Sequence, residues 1–181
     1  MSVELPLSHE TMNKDAWPQG PWTDEPDEEI FKHAGLLCRI IRNGRIGHLC
    51  GYVRVPEGHP LHGKWHLDVV PDSLRDSAQA ALQSTLGKRG IITAFVCEPD
   101  APSIDILFDV HGSLTFSGEL DGIDGHWFGF DCAHAGDLQP DSPYSFDYDA
   151  VYRDIEYVRA ECRSLAEQFA ALSATVPAKE E

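Results

Sequence analysis

Histidine and aspartate residues gather beside glycines in three short segments of this 181-residue chain. The segments cover residues 58–64, 109–112 and 131–137, and each lies at or just beyond the end of a predicted strand. Loops at strand ends are where a rigid sheet presents functional groups, and glycine lets the backbone approach a ligand closely. We therefore predict that the three segments meet in one pocket and supply its chemistry.

The spacing within the second segment indicates acid–base catalysis. Asp109 and His111 are two residues apart, so on a strand they share one face. A carboxylate beside an imidazole fixes the tautomer of the ring and raises its basicity, which suits a general base. We predict His111 as the base, Asp109 as the group that orients it, and His134 or His59 as the acid. The predicted ligand-binding residues are His62, Lys64, Trp127 and Asp131, with core packing as the alternative for Trp127.

The same residue types are ligands of divalent metal ions. Asp131, His134 and Asp137 are each three residues apart, which would place them on one side of a helical turn. No standard zinc motif is present, since the pair at His59 and His62 lacks the H-E-x-x-H pattern. Three interpretations stay open: a mixed nitrogen and oxygen metal site that also includes Asp109 and His111, hydrogen bonds by which His111 and Asp131 only tie loops together, and a metal-free acid–base site.

Cys132 is a candidate nucleophile because His134 follows it by two residues. Cys132 also continues the apolar alternation of Phe128 and Phe130, so a small core residue is the favoured interpretation. The five cysteines are odd in number, widely spaced and without a C-x-x-C pair, which is typical of a reduced intracellular protein.

The composition narrows the classes of partner. Lys and Arg total 14 against 30 Asp and Glu, a formal net charge of −16. Duplex nucleic acid and anionic membranes need a basic surface, so we exclude both as main partners, whereas a small anionic ligand held by a few donors remains compatible. No apolar run approaches the ~20 residues of a membrane span, and the first residues lack a signal-peptide pattern. We expect a soluble, cytoplasmic protein.

Five strands are predicted, four of them in two hairpins. Asn43-Gly44 between two apolar runs predicts a β-hairpin with a two-residue turn, which would set Cys38 opposite Leu49. Residues 91–97 have strand composition, and residues 103–110 alternate between apolar and polar side chains. A returning strand over residues 126–131 completes a second hairpin.

Two helices are predicted, over residues 71–86 and 149–172, the second capped by Asp149. Apolar residues from Val151 to Leu172 recur at steps of four and three. This apolar seam can pack on the sheet of its own chain or form a homodimer interface.

These elements predict an α+β fold: an antiparallel sheet built from β-hairpins, with a long C-terminal helix packed on it. Residues 1–30 hold eight acids, one lysine and four prolines, which predicts a flexible acidic arm. Its Trp17 and Trp22 should dock on the protein's own surface or on a partner. Residues 31–172 form a single domain, with an insertion over about residues 67–102, and residues 173–181 a frayed tail.

Four stretches together resemble a family of small uncharacterised proteins encoded by bacteriophages and prophages. They read GHLCGYVRVPEGHPLHGK, DVHGSLTFSG, WFGFDCAHAGD and YRDIEYVRAECRSLAEQ. The likeness runs from about Gly35 to Phe169, without the acidic arm and the insertion. It implies a phage origin and a small accessory role. Many such proteins bind or destroy a nucleotide immune signal of the host, an analogy that carries no residue roles with it.

We therefore expect a His/Asp pocket that hydrolyses a phosphodiester or related bond in a small nucleotide. One alternative is a module that binds and sequesters the nucleotide without turnover. Another is a protein–protein inhibitor that uses the acidic arm as a nucleic-acid mimic.

Overall fold

The computed structural model describes residues 14–88, 101–141 and 149–175. Five strands form one antiparallel sheet in the spatial order β1-β2-β3-β5-β4. They are β1 (Glu28–His33), β2 (Leu36–Arg42), β3 (Leu49–Val55), β4 (Phe116–Leu120) and β5 (Ile123–Asp131). Helix α1 (Arg75–Lys88) precedes β4, and helix α2 (Ile155–Thr175) follows β5. The predicted α+β class, with the C-terminal helix on an antiparallel sheet, is confirmed.

Helix α2 packs on one face of the sheet through its predicted apolar seam. Val158, Cys162, Leu165 and Phe169 are fully buried, and α2 contacts β1, β2 and β3. Gly51 of β3 allows the close approach, since a Cβ atom there would lie 2.6 Å from the sulfur of Cys162. The seam therefore packs in the core of its own chain. Its buried side chains are not exposed for a homodimer interface, which was the alternative.

The start of α2 differs from the prediction. Asp154, and not Asp149, caps the helix, because its Oδ1 accepts the backbone N–H of Tyr157 at 2.8 Å. Val151 consequently lies outside the helix and is exposed, although the periodicity placed it in the seam. The later start leaves residues 149–154 free to form a connecting segment beside the loop after β5.

The opposite face of the sheet carries a smaller apolar cluster of Cys50, Tyr52, Leu120 and Trp127. Trp127 is completely buried, and its indole N–H donates to the carbonyl of Ile123 at 3.3 Å. The predicted ligand-binding role of Trp127 is therefore wrong. Its alternating position along β5 turns it toward this second core, where it packs without access to a ligand.

The first hairpin forms, but its register is not the predicted one. The connection covers residues 43–48, and Cys38 lies opposite Val53. The Asn43 side chain accepts the backbone N–H of Arg45 at 2.9 Å, while the Asn43 N–H donates to the His48 carbonyl at 2.8 Å. The side-chain bond builds a wider loop than a two-residue turn, and this loop brings His48 to the end of the sheet.

Residues 103–110 do not form the predicted strand. A 3-10 turn spans Ile104–Leu107, and the residues after it lie outside the five strands of the sheet. The apolar residues of the alternation are still buried: Ile104, Ile106, Phe108 and Val110. The backbone N–H groups of Ile104 and Asp105 donate to the carbonyls of Asp68 and His66, and that of Ile106 donates to Ser103 within the turn.

Helix α1 agrees with the predicted helix over residues 71–86 and is preceded by a 3-10 turn at Asp72–Leu74. The strand predicted at residues 91–97 lies outside the described residues. The same holds for residues 1–13 of the acidic arm and for residues 176–181 of the tail.

The described part of the acidic segment is docked on the domain. Trp17 and Trp22 are buried, and β1 pairs with β2 from Glu28 onward. The buried side chain of Arg42 binds the carboxylates of Glu25 and Asp27. Residues 14–30 are therefore held in place, contrary to the expectation of a flexible arm, because a buried guanidinium needs these acids as partners.

Candidate functional site

A cluster of His, Asp, Tyr and Arg side chains lies where two loops meet the start of α2. His111 Nε2 lies 2.7 Å from Asp137 Oδ2, and His111 Nδ1 lies 2.9 Å from the Tyr157 hydroxyl. A carboxylate only accepts hydrogen bonds, so Nε2 carries the proton, and in the neutral ring Nδ1 accepts the Tyr157 O–H. Glu161 of α2 also accepts the backbone N–H of His111 at 2.7 Å. Helix α2 thus fixes both the backbone and the ring of His111.

The carboxylate of Asp137 is the centre of the cluster, with only 1% of its side chain exposed. It accepts hydrogen bonds from Arg153 Nε at 2.9 Å, from His111 at 2.7 Å and from the backbone N–H of His134 at 3.0 Å. Burial alone would raise the pKa of Asp137, but the hydrogen bonds from Arg153 and His111 outweigh it and hold the pKa below its usual value. Asp137 is therefore a stable anion that fixes its three donors.

His134 completes the cluster on the solvent side. Its ring centre lies 5.4 Å from that of His111, and a third of its side chain is exposed. His134 Nδ1 lies 3.7 Å from Asp137 Oδ2 and 3.8 Å from Asp131 Oδ1, too far for a hydrogen bond to either. Within the described residues, this buried nitrogen has no hydrogen-bond partner.

Gly112 makes room for the ring of His134. Its φ of +66° lies in the left-handed region, and an added Cβ atom would stand 2.1 Å from the His134 ring. The glycine beside His111 in the DVHG stretch is therefore required by both backbone conformation and ring packing.

Asp131 links the cluster to the sheet. Its Oδ1 accepts the backbone N–H of Ala133 at 3.0 Å, and its Oδ2 accepts the Thr115 hydroxyl at 2.8 Å. These bonds tie the loop after β5 to the segment before β4. The loop-tying interpretation therefore holds for Asp131, which at the same time keeps one oxygen near His134.

Three members of the site escaped the sequence analysis: His48, Arg153 and Tyr157. His48 is only 6% exposed, and its Nδ1 is a second buried nitrogen without a partner among the described residues. Burial lowers the pKa of His48, while the charges of Asp131 and Asp137 oppose that shift. The predicted two-residue turn placed His48 within a strand and hid its position. For Arg153 and Tyr157, the sequence offered one indication of a site: a cation and a hydroxyl stand four residues apart in an otherwise acidic chain.

Asp109 does not orient His111. Its side chain is exposed, and its backbone N–H donates to Gln168 of α2 at 2.8 Å. The prediction failed because residues 109–111 are not in a strand, so their spacing does not place the two side chains on one face. Asp137 occupies the position that Asp109 was expected to fill.

His59 lies outside the cluster. Its Nε2–H donates to the carbonyl of Phe169 at 3.1 Å, and its Nδ1 accepts the backbone N–H of Leu61. Phe169 is twelve residues from Tyr157 along α2, a rise of about 18 Å. Both ring nitrogens of this buried histidine are used to hold a loop, so the predicted catalytic role of His59 is wrong.

The other predicted ligand-binding residues of the first segment, His62 and Lys64, lie near the start of β5. The ring of His62 is 5.5 Å from that of His126, and the carbonyl of Lys64 accepts a hydrogen bond from His126 Nε2 at 2.9 Å. Within the part of the chain that the structure describes, these contacts lead to His126 and not to His111 or Asp137. Only the second and third predicted segments therefore form the cluster.

Cys132 is a core residue. It is buried in the cluster of side chains beneath α2, and burial raises the pKa of its thiol well above the usual value. A thiol that resists ionisation is a poor nucleophile, in agreement with the favoured interpretation.

Comparisons of the chain with protein-family models, curated proteins and solved structures found no match. Neither helix of the described residues combines the length and apolar character needed to cross a bilayer.

Proposed function

We propose that this protein hydrolyses a phosphoester bond in a small nucleotide, at the centre formed by His111, His134 and Asp137. The observation that carries the proposal is the 2.7 Å hydrogen bond between His111 and the buried carboxylate of Asp137. A buried anion that holds one ring nitrogen stabilises the positive charge that the imidazole gains when it accepts a proton. That is the property of a general base.

The proton of the attacking water has a path to His111. The Tyr157 hydroxyl is hydrogen-bonded to His111 Nδ1. The hydroxyl oxygen can therefore take a proton from water while the hydroxyl proton passes to the ring. The resulting imidazolium stays paired with Asp137. The oxygen of the water then bonds to phosphorus, and the leaving oxygen departs with a proton from the solvent-exposed side of the centre, where His134 lies.

Arg153 gives the centre a contact for the phosphate. Its Nε donates to Asp137, and its guanidinium lies over the ring of Tyr157 at 4.8 Å. Asp137 is its one hydrogen-bond acceptor among the described residues, so the terminal N–H groups are available to phosphate oxygens. In a chain of net charge −16, such a local cation is what an anionic substrate requires.

The choice of a nucleotide rests on an analogy with phage accessory proteins, many of which bind or destroy a nucleotide immune signal of the host. The acidic-arm inhibitor has less support. Four carboxylates of residues 25–29 are already paired with Lys or Arg of the same chain: Glu25, Asp27, Glu28 and Glu29. They are not a free surface that could imitate a nucleic-acid backbone.

The test is incubation of the full chain with cyclic dinucleotides and ADP-ribose derivatives, with products identified by mass spectrometry. We expect hydrolysis by the wild type and by His33→Ala, because the His33 ring bonds to the exposed carboxylate of Glu167 and is not part of the His111 cluster. His111→Ala should reduce the rate by about 10²–10⁴-fold. Unchanged nucleotide throughout would contradict the proposal. Recovery of intact nucleotide from a heated complex would instead establish sequestration.

A further inference from the structure

The side chains proposed for acid–base catalysis are also arranged as the ligands of a metal ion would be. His111, His134 and Asp137 each offer one ligand atom, and these atoms lie within 4.8 Å of one another. Around a zinc ion with bonds of 2.0–2.1 Å, tetrahedral ligand atoms are about 3.4 Å apart. The separations from Asp137 Oδ2, 2.7 Å to His111 Nε2 and 3.7 Å to His134 Nδ1, lie on either side of that value. Changes of about 0.7 Å and 0.3 Å in these two separations would bring both to the tetrahedral value.

Unpartnered buried nitrogens give an independent reason to place a cation here. His134 Nδ1 lies between two carboxylates, at 3.7 Å and 3.8 Å, and bonds to neither. A buried polar atom without a partner usually indicates a water or an ion. His48 Nδ1 is also buried without a partner, in a side chain that is more than nine-tenths buried and that lies in the field of Asp131 and Asp137.

We propose that His111 Nε2, His134 Nδ1 and Asp137 Oδ2 bind one divalent cation of the zinc type, with Asp131 beside it. Two imidazoles and one carboxylate favour zinc and similar ions over magnesium or calcium, which prefer oxygen ligands alone. Three protein ligands leave a fourth position for water, as in catalytic zinc sites.

The surrounding contacts suit such a site. When Nε2 of His111 binds the cation, the ring proton moves to Nδ1 and donates to the Tyr157 oxygen, now 2.9 Å away. A ligand histidine commonly donates its other N–H to an outer group in this way. Arg153 stays on Asp137 Oδ1, the oxygen that the cation does not need.

The catalytic consequence rests on the proposed function. With the cation bound, His111 would be a ligand and not the base, and the cation would instead lower the pKa of a bound water to near 7. Metal binding itself is independent of any substrate and can be measured alone.

The test is a calorimetric titration of the EDTA-treated, dialysed full chain with zinc sulfate. We expect one equivalent to bind. His134→Ala and His111→Gln should each weaken binding by more than the 10–100-fold that loss of an outer-shell partner costs. Circular dichroism of each variant verifies the fold. His126→Ala, which alters the other close histidine pair, should bind zinc as the wild type does.

Absence of zinc binding by the wild type would overturn the proposal, and so would unchanged binding by folded His134→Ala. The two proposals fail separately. Zinc binding without nucleotide hydrolysis would support the metal site and contradict the hydrolase. Hydrolysis by a chain that binds no zinc would support the hydrolase and contradict the metal site.

Discussion

At the residue scale, the charge with the largest structural role outside the site belongs to Arg42. Its side chain is buried and donates to Asp27 at 2.8 Å, to Glu25 at 3.0 Å and to the Tyr152 hydroxyl at 2.8 Å. Tyr152 and Glu25 are also bonded to each other. This network joins the acidic segment, the sheet and the chain that leads into α2, so Arg42 holds together the same end of the molecule as the candidate site.

Arg42→Met should lower the free energy of unfolding by about 3 kcal/mol, because it leaves the largely buried carboxylate of Glu25 without a counter-charge. Urea denaturation measures the loss. Arg45→Met, on the exposed loop of the same hairpin, should change stability by less than about 0.5 kcal/mol. Equal stability of the two variants would contradict the structural role of Arg42.

The sequence indicated which residues form the site better than it indicated which of them bind each other. His111, His134, Asp131 and Asp137 were all predicted and all lie in or beside the cluster. The partner of His111 was predicted to be Asp109, because two residues of one strand share a face. The actual partner, Asp137, is 26 residues away, and such pairs depend on the path of loops that no local pattern specifies.

At the element scale, the turn after residue 110 positions the site. Gly112 has a φ of +66° and Ser113 a φ of +94°, so two successive residues leave the usual backbone regions. The turn directs His111 toward Asp137 and leaves the space that the His134 ring occupies. Such strained turns persist where the surrounding structure holds them.

Gly112→Ala should displace the His134 ring and reduce hydrolysis. Gly122→Ala is the matched control, since Gly122 has a φ of +85° but no atom within 4 Å of an added Cβ. Both variants should lose about 1 kcal/mol or more from backbone strain. Only Gly112→Ala should lose activity and zinc affinity, which kinetics and calorimetry report. Equal activity of both variants would contradict the packing role of Gly112.

An element was predictable from the sequence where its own residue pattern determines it, and was not where contacts with other parts of the chain or a side-chain hydrogen bond decide. The seam of α2 follows from its own periodicity, and its residues from 158 to 169 are buried as expected. The alternation of apolar and polar residues over 103–110 is as regular as the periodicity of α2. It predicted a strand, but the structure has a 3-10 turn followed by an extended segment there. The loop at Asn43 was misjudged because a side-chain hydrogen bond selects it over the two-residue turn.

At the scale of the whole molecule, buried histidines couple stability to pH. Burial lowers the pKa of His48, His59 and His66, and partial burial lowers that of His126. Each is therefore neutral in the folded chain at a pH where the unfolded chain, with an ordinary pKa near 6.5, already binds a proton. Below that pH the unfolded state binds more protons than the folded state, and stability falls as the pH falls.

The free energy of unfolding should therefore decrease between pH 7 and pH 5, by at most about 1.4 kcal/mol per pH unit for each such histidine. Urea denaturation at fixed ionic strength measures the slope. His66→Gln should make the slope shallower, because it removes one of the four groups. Constant stability across this range would contradict the burial of these rings as neutral groups.

The central claim is that His111 and Asp137 act as one catalytic unit, and kinetics of the single and double variants test it most directly. The rate of nucleotide hydrolysis should be measured for the wild type, His111→Gln, Asp137→Asn and the double variant, each verified as folded. When two residues act as one unit, removing either one costs about as much rate as removing both. We predict that each single variant loses about 10²–10⁴-fold and that the double variant loses no more. A folded double variant whose loss of rate equals the product of the two single losses would show that the residues act independently and would contradict the claim.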